Sequence, residues 1–520
     1  MIFRLLPLAV LLVMATGCRA VELQAEPDAA PDPAPAAVRA VPATHQPVPA
    51  PPGANGLSPV LWVSLADHLG RGGRSPLLTL RSASGPLTLE DAAGTQWSSG
   101  TISIGWRSVP LDTPLPLARR VAGPFASFES AERVAKRWRQ IGVAAEVAHP
   151  GDWEVWAPQA SPLPEGLRVR DWSGSTTTVV KPVLESSEGG TTLTGPIQIQ
   201  APNGLLWKGG LYRGPFRLQP DAYGSWTLVE QVPIERYLEG VVPHEIGAGS
   251  PTAALQAQTV LARTWALANS HRFRIDGYHL CSDTQCQVYS DPRQAGRAVR
   301  QAIKATSGRL LSWKGEPISA VYHASNGGVM AAGPEAWAMD PAPYLKAEAD
   351  GDEAWRNRHP LPLMQSAAVD ALLQGGAGAY GTNHPLFRWS RTLTAPEIKR
   401  SLGAEGAGLA LPLTVSVLER GTSGRVLALK IAGSGDAAPV ILKLDRIRRT
   451  LRRLPSTLFV ISPQGGGSWL VRGGGFGHGS GLSQAGAIDL AWRGWSTEKI
   501  LRHYYPGTVY GPLPSPVQAP

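Results

Sequence analysis

Short runs of alternating apolar and polar residues, punctuated by Gly, Pro and Ser, recur through the first half of the folded sequence. Alternation with a period of two marks half-buried strands, and it predicts strands at 60–65, 77–80, 101–104, 197–200 and 226–229. Between them the period changes. Ala131, Val134, Ala135 and Trp138 fall on one face of a helix expected over 131–141, and 144–147 and 153–156 return to strand texture. Further on, Ser250-Pro251 supplies a hydroxyl cap and a first-position proline for a helix expected over 252–270. Ala257, Val260, Leu261, Thr264 and Ala268 form its stripe, and its many alanines imply close packing deep in a core. Strands and helices in this order predict an α+β fold, a strand-rich core around an Ala-rich central helix with a small β-α-β-β segment at 119–157.

The ends of the chain carry no such pattern. The first twenty residues, MIFRLLPLAVLLVMATGCRA, have one basic residue and an apolar run too short to span a bilayer, which is the form of an export signal. Ala15-Thr16-Gly17-Cys18 resembles a bacterial lipobox, which makes Cys18 the expected lipidated residue; an ordinary signal peptide is the alternative. Residues 19–56 are rich in Pro and Ala and read as a semi-extended tether. Residues 511–520 read as a Pro-rich tail. The expectation is an exported, envelope-located lipoprotein. The 520 residues are 43 % hydrophobic and carry a net charge of +9, which suits anionic envelope partners. Nucleic acid is not expected as a partner of an exported chain.

Candidate chemistry begins at Glu245, just before the central helix and among apolar Val241, Val242 and Ile246. Burial would raise its pKa and the helix dipole would lower it; a general acid needs burial to win. Cys281 and Cys286 are the only cysteines besides Cys18. In an oxidising compartment a disulfide is the simpler pairing. Zinc is the alternative, with His271 and His279 nearby, although three or four ligands are required. The glycine block 473–481 lacks a dinucleotide fingerprint. Gly481-Leu482-Ser483-Gln484-Ala485 misses the nucleophile elbow at its last position, and Asp489 and His503 follow too closely for triad partners. The glycines read as close backbone approach around a sugar groove.

Five ordered blocks carry a resemblance. They are Val241-Val242-Pro243-His244-Glu245 with Ala254-Leu255-x-Ala257-Gln258-x-x-x-Ala262-Arg263-Thr264; Cys286-Gln287-Val288-Tyr289; Tyr322-His323-Ala324-Ser325-Asn326-Gly327-Gly328; Gly475 through Ala487; and His503-Tyr504-Tyr505-Pro506-Gly507-Thr508. Together they resemble the stage II sporulation protein D family (the SpoIID/LytB domain), here expected over 57–118 and 158–510. The segment 119–157 resembles a SPOR repeat, a module that binds glycan lacking stem peptides; an α/β insertion without ligand is the alternative. The family resemblance implies a lytic transglycosylase acting on denuded peptidoglycan glycan, with Glu245 as acid and base and no required cofactor. It implies substrate contacts from Arg263, Tyr322, His323, Ser325, His478, Ser483 and Gln484. Some family members resemble zinc proteins near the cysteines, whereas here Gln285 stands where a histidine would be expected. The rival expectation is a wall-binding protein that enhances a separate amidase.

Overall fold

The computed structural model describes residues 42–54, 59–73, 75–187 and 189–512. The expected export signal, Cys18, the expected tether up to residue 41 and the tail from 513 lie outside the described residues.

Two antiparallel sheets form the strand-rich half. The six-stranded sheet runs Val60–Leu69, Trp226–Pro233, Phe216–Pro220, Ile197–Gln200, Leu87–Glu90 and Gln96–Ser99 in spatial order. Alternation decides which side faces inward. Leu61, Val63 and Leu65 are buried from one edge strand, Ile197 and Ile199 from the middle, and Leu87 and Leu89 beyond it. The second, eight-stranded sheet is organised by one long strand, Thr101–Phe125, which pairs with Leu78–Ser82, Arg170–Ser186 and Trp153–Pro158.

The order strand, helix, strand, strand expected for 119–157 is present as the end of Thr101–Phe125, the helix Phe128–Gln140, and strands Glu146–Ala148 and Trp153–Pro158. Its start at 119 falls inside a continuous 25-residue strand, so the segment is an extension of the main sheet. Trp153 and Trp156 face opposite sides of their strand, yet both are buried, at 1 % and 2 % exposure. Opposite parity does not expose either ring, because both faces of the strand are covered. Trp153 packs between Phe128 and Phe273, and Trp156 packs on Tyr223 with the Arg119 guanidinium 3.7 Å from its ring.

Part of the covering comes from the expected tether. Residues 42–54 lie along the folded unit: Ala43 bridges Leu117, Thr44 O accepts from Arg119 Nη1 at 2.7 Å, and Pro52 O lies 2.7 Å from His279 Nε2. An extended Pro-rich strand has no internal hydrogen bonds, so its carbonyls are free for such partners.

The central helix spans Thr252–Ala268, ending before the predicted 270. Its N-cap is Pro251 without a side-chain cap; the Ser250 hydroxyl instead donates to Ile246 O at 2.7 Å. Ala254, Ala257, Val260, Leu261, Ala262 and Ala266 are all fully buried, so the helix is enclosed on more than one stripe. Helices Ile234–Val242, Arg297–Ala305, Gln484–Trp492 and Thr497–Tyr504 surround it. The small alanines let these neighbours approach closely. Between Tyr322 and Leu482 the chain makes an excursion that no sequence pattern announced. It includes the three-stranded sheets Arg388–Thr394/Ser468–Gly474/Phe459–Gly465 and Thr414–Arg420/Val426–Ala432/Val440–Lys443, with a core of their own around Ile398, Leu429, Ile431 and Phe459.

Leu261 is fully buried in the helix on which the other helices converge. Leu261→Ala is expected to lower unfolding free energy by about 2–5 kcal/mol through lost burial and a cavity. Urea unfolding should show a lower midpoint with little change in slope.

Candidate active site

Helix Ile234–Val242 leads without a break into a wide turn, Pro243–Gly247, that widens the helical ladder just before the central helix. Glu245 sits in this turn, at the wall of a cleft of about 530 Å³. Its Oε1 accepts from Val288 N at 3.1 Å. Burial pushes the Glu245 carboxyl above the usual carboxylate range. The Val288 N–H and then the side chains of Tyr322 and Gln484 favour the ionised form and oppose that rise without cancelling it.

A chain of polar side chains sets the direction of these contacts. The Tyr237 hydroxyl donates to Gln287 Oε1 at 3.1 Å, and Gln287 Nε2 donates to the Tyr322 hydroxyl oxygen at 2.9 Å. With its oxygen already accepting, Tyr322 keeps its own proton available for Glu245. Burial and the nearby Glu245 charge hold the Tyr237 and Tyr322 hydroxyls well above the ordinary phenol range, so both stay protonated.

Tyr322 and His323 belong to a two-residue parallel pairing with Leu482 and Ser483, and Gln484 follows directly. His478 Nε2 donates to Tyr322 O at 2.8 Å and its Nδ1 accepts from Ser480 N at 3.2 Å. Burial drives its pKa to about 3, so this imidazole is neutral. His323 is also neutral, held well below the ordinary histidine value first by burial. Its Nδ1 lies 3.2 Å from Ser480 O, which leaves Nε2 buried and without a hydrogen-bond partner among the described residues.

Of the residues expected to contact substrate, Tyr322, His323, His478 and Gln484 line the cleft with Glu245; Arg263, Ser325 and Ser483 do not. Arg263 is buried and bidentate to Glu235, at 2.8 and 2.7 Å, and its third nitrogen donates to Arg309 O. It ties the approach helix to the central helix. Ser325 accepts from Gly327 N within its turn, and Ser483 accepts from Gly486 N as the cap of Gln484–Trp492. The glycine block is corrected in the same way. A Cβ at Gly479 would lie 2.1 Å from the Arg425 guanidinium, and one at Gly475 would lie 2.6 Å from Ser325 O. These positions, with φ of 85° and 82°, serve close approach of the protein to itself; within the block, Phe476, Gly477 and His478 face the cleft.

Cys281 and Cys286 are joined as a disulfide. His279 is engaged elsewhere: Nδ1 accepts from Trp62 N, and Nε2 faces Pro52 O. Gln285, in the place of an expected histidine, accepts from Trp153 Nε1 at 3.1 Å. The bridge closes the loop that leads into Gln287, which donates to Tyr322, and Val288, whose N–H donates to Glu245.

The structure adds cleft residues that sequence reasoning passed over. Gln287 stood within a quoted motif, but nothing in its type suggested a relay. Trp265, Trp337, Glu129, Arg272, Asp445 and Arg448 also line the cleft. Two are carboxyls. Glu129 is ion-paired with Arg272, and Asp445 is pushed up to about 6 by burial, with Arg449 opposing.

Residues 222–313 match the family described as Stage II sporulation protein, and residues 331–481 match a Domain of unknown function (DUF8618). The stage II sporulation protein D of Bacillus amyloliquefaciens is 30 % identical over 295 residues, covering 54 % of this chain and 74 % of that protein. This chain belongs to the stage II sporulation protein D family. The stage II sporulation protein D of Bacillus subtilis (strain 168) is 27 % identical over 295 residues, 54 % of this chain and 75 % of that one. The Amidase enhancer of the same organism is 27 % identical over 288 residues; the match spans 52 % of this chain and 40 % of the enhancer. Glu245 and the disulfide loop lie inside the segment matched to the stage II sporulation family, whereas Asp445, Arg448 and His478 lie in the segment matched to the domain of unknown function.

Because the Cys281–Cys286 bridge is formed, thiol titration of the unfolded, unreduced chain is expected to find no free thiol from this pair. Two titratable thiols together with bound zinc would contradict the bridge.

Proposed function

We propose that this protein cleaves peptidoglycan glycan strands as a lytic transglycosylase, with Glu245 as its acid and then its base. The observation that carries the proposal is a carboxyl raised in pKa by burial at the wall of an open cleft, with hydrogen-bond donors ready for its ionised form. A raised carboxyl holds its proton closer to neutrality, as general-acid catalysis requires. Glu245 delivers the proton to the bridging oxygen as the glycosidic bond breaks, leaving an oxocarbenium-like muramyl ring. The resulting carboxylate takes the proton of the muramyl C6 hydroxyl, whose oxygen closes on the anomeric carbon. The product end is a 1,6-anhydro-muramyl residue. The substrate supplies the nucleophile, so one carboxyl serves both steps without a cofactor. Tyr322 and Gln484 stabilise the carboxylate between the steps.

Export, lipid attachment at Cys18 and an envelope location belong to the same proposal, since they follow from the leader sequence. The relative named Amidase enhancer supports a second reading, in which the cleft holds glycan for a separate amidase without cutting it.

Glu245→Gln keeps the shape of the side chain and removes the transferable proton. Cleavage of denuded glycan by this variant is expected to fall by several orders of magnitude while glycan pull-down stays near parental; parental turnover would end the enzymatic proposal, and a parent without any cleavage would favour the second reading.

Tyr322→Phe removes a hydrogen bond that favours the Glu245 carboxylate. The Glu245 pKa should then rise further, the protonated acid should persist to higher pH, and the alkaline limb of the cleavage profile should move upward. A limb that stays in place, or moves down, contradicts the assigned direction of that bond.

A further inference from the structure

Beside the Glu245 cleft lies a second hollow of about 790 Å³. One wall is the sheet extension, including Phe125, His149 and Asp152; the other is the excursion segment. Arg400, Arg446, Arg449, Arg452 and Arg453 face this hollow from the excursion, against the carboxyls of Asp152 and Glu405. Arg446 pairs with Glu405, Arg453 with Glu397 at 2.5 Å, and Arg449 with Asp445 at 3.8 Å. Arg400 and Arg452 make no ion pair among the described residues. The hollow therefore keeps an excess of guanidinium charge after its internal pairs are formed. Its burial is slight: Arg446, Arg449 and Arg453 retain 43 %, 46 % and 54 % of their side-chain exposure. Charges so placed attract and orient a polyanion more than they stabilise the fold.

Two residues make this hollow part of the site. Gln285 and Arg449 line both it and the Glu245 cleft, and Arg449 Nη2 donates to Gln285 Oε1 at 3.3 Å across the junction. A polymer held at Glu245 and continuing past that junction would meet the arginines. The chemistry of the hollow selects what such a polymer carries. Guanidinium groups bind carboxylates by charge-assisted, often paired hydrogen bonds. Removing a stem peptide at its amide link to the muramyl lactyl group leaves a free carboxylate on every second sugar, where the intact strand has a neutral amide and a bulky peptide.

We propose that this arginine hollow is an extension subsite that binds the lactyl carboxylates of peptide-free glycan, giving the segment that matches a domain of unknown function a role in substrate selection. The assignment rests on glycan as the ligand of the adjoining cleft. The sheet extension contributes a wall rather than an exposed aromatic platform, since Trp138, Trp153 and Trp156 are all buried.

The test measures binding with the full chain carrying Glu245→Gln, so that no strand is consumed. Three probes are compared: peptide-free glycan strands, the same strands with lactyl carboxylates converted to neutral amides, and a poly(glycerol phosphate) polymer. The subsite predicts tight, salt-sensitive binding of the first, and a loss of about tenfold or more on amidation. Adding Arg446→Glu with Arg452→Glu should weaken binding of the carboxylate form by a similar factor and leave the amidated form unchanged. Arg446→Gln with Arg452→Gln should give an intermediate loss, with urea midpoints confirming that all variants are folded. Equal binding of carboxylate and amidated strands by the parent, or parental binding by the Glu pair, overturns the subsite. A loss confined to the phosphate polymer also overturns it and assigns the hollow to a different wall component. The enzymatic proposal is judged separately, by cleavage in chains that retain Glu245, so either result can fail alone.

Discussion

The candidate site hangs on a two-residue parallel pairing, Tyr322 and His323 against Leu482 and Ser483, that joins chain segments about 160 residues apart. Its hydrogen bonds alone are worth too little to close such a loop, since each contributes about 1 kcal/mol net. What holds the segments is the burial around them. Leu482 and Tyr505 are fully buried, and the Tyr505 hydroxyl donates to Val321 O while accepting from Leu482 N at 3.1 Å. Arg425, itself buried, donates to Val329 O and Asn326 O. From this anchored strip Tyr322 and Gln484 reach Glu245 from one side, while the disulfide loop supplies Val288 N and Gln287 from the other.

That arrangement decides the electrostatics. Among the described residues no cation pairs with Glu245; its ionised form is met by a backbone N–H and by two neutral side chains. Neutral donors soften the cost of burying charge without removing it, so burial remains the larger effect and the carboxyl stays raised. The other cleft carboxyls stand beside arginines: Glu129 pairs with Arg272, and Asp445 is raised to about 6 by burial with Arg449 opposing.

Period-two and helical patterns made the strands at 60–69 and 226–233 and the central helix legible, because burial on one face leaves a trace in residue type. Glu245 was legible through its motif. The direction in which a side chain points leaves no such trace. Arg263, Ser325 and Ser483 stand in motifs beside cleft residues but turn to Glu235, to Gly327 N and to a helix end. Residues 42–54 read as tether because Pro and Ala offer no core, yet their carbonyls found partners on the folded unit. The arginines at 446–453 stand in none of the quoted motifs; only the fold places them beside the cleft.

The central claim is that one carboxyl acts with the substrate's own hydroxyl. The most direct measurement is digestion of peptide-free glycan in water labelled with heavy oxygen, followed by mass analysis of the new muramyl ends. The account predicts 1,6-anhydro ends, lighter than reducing ends by one water and free of label. Labelled reducing ends as the main product would contradict it and make the enzyme a hydrolase.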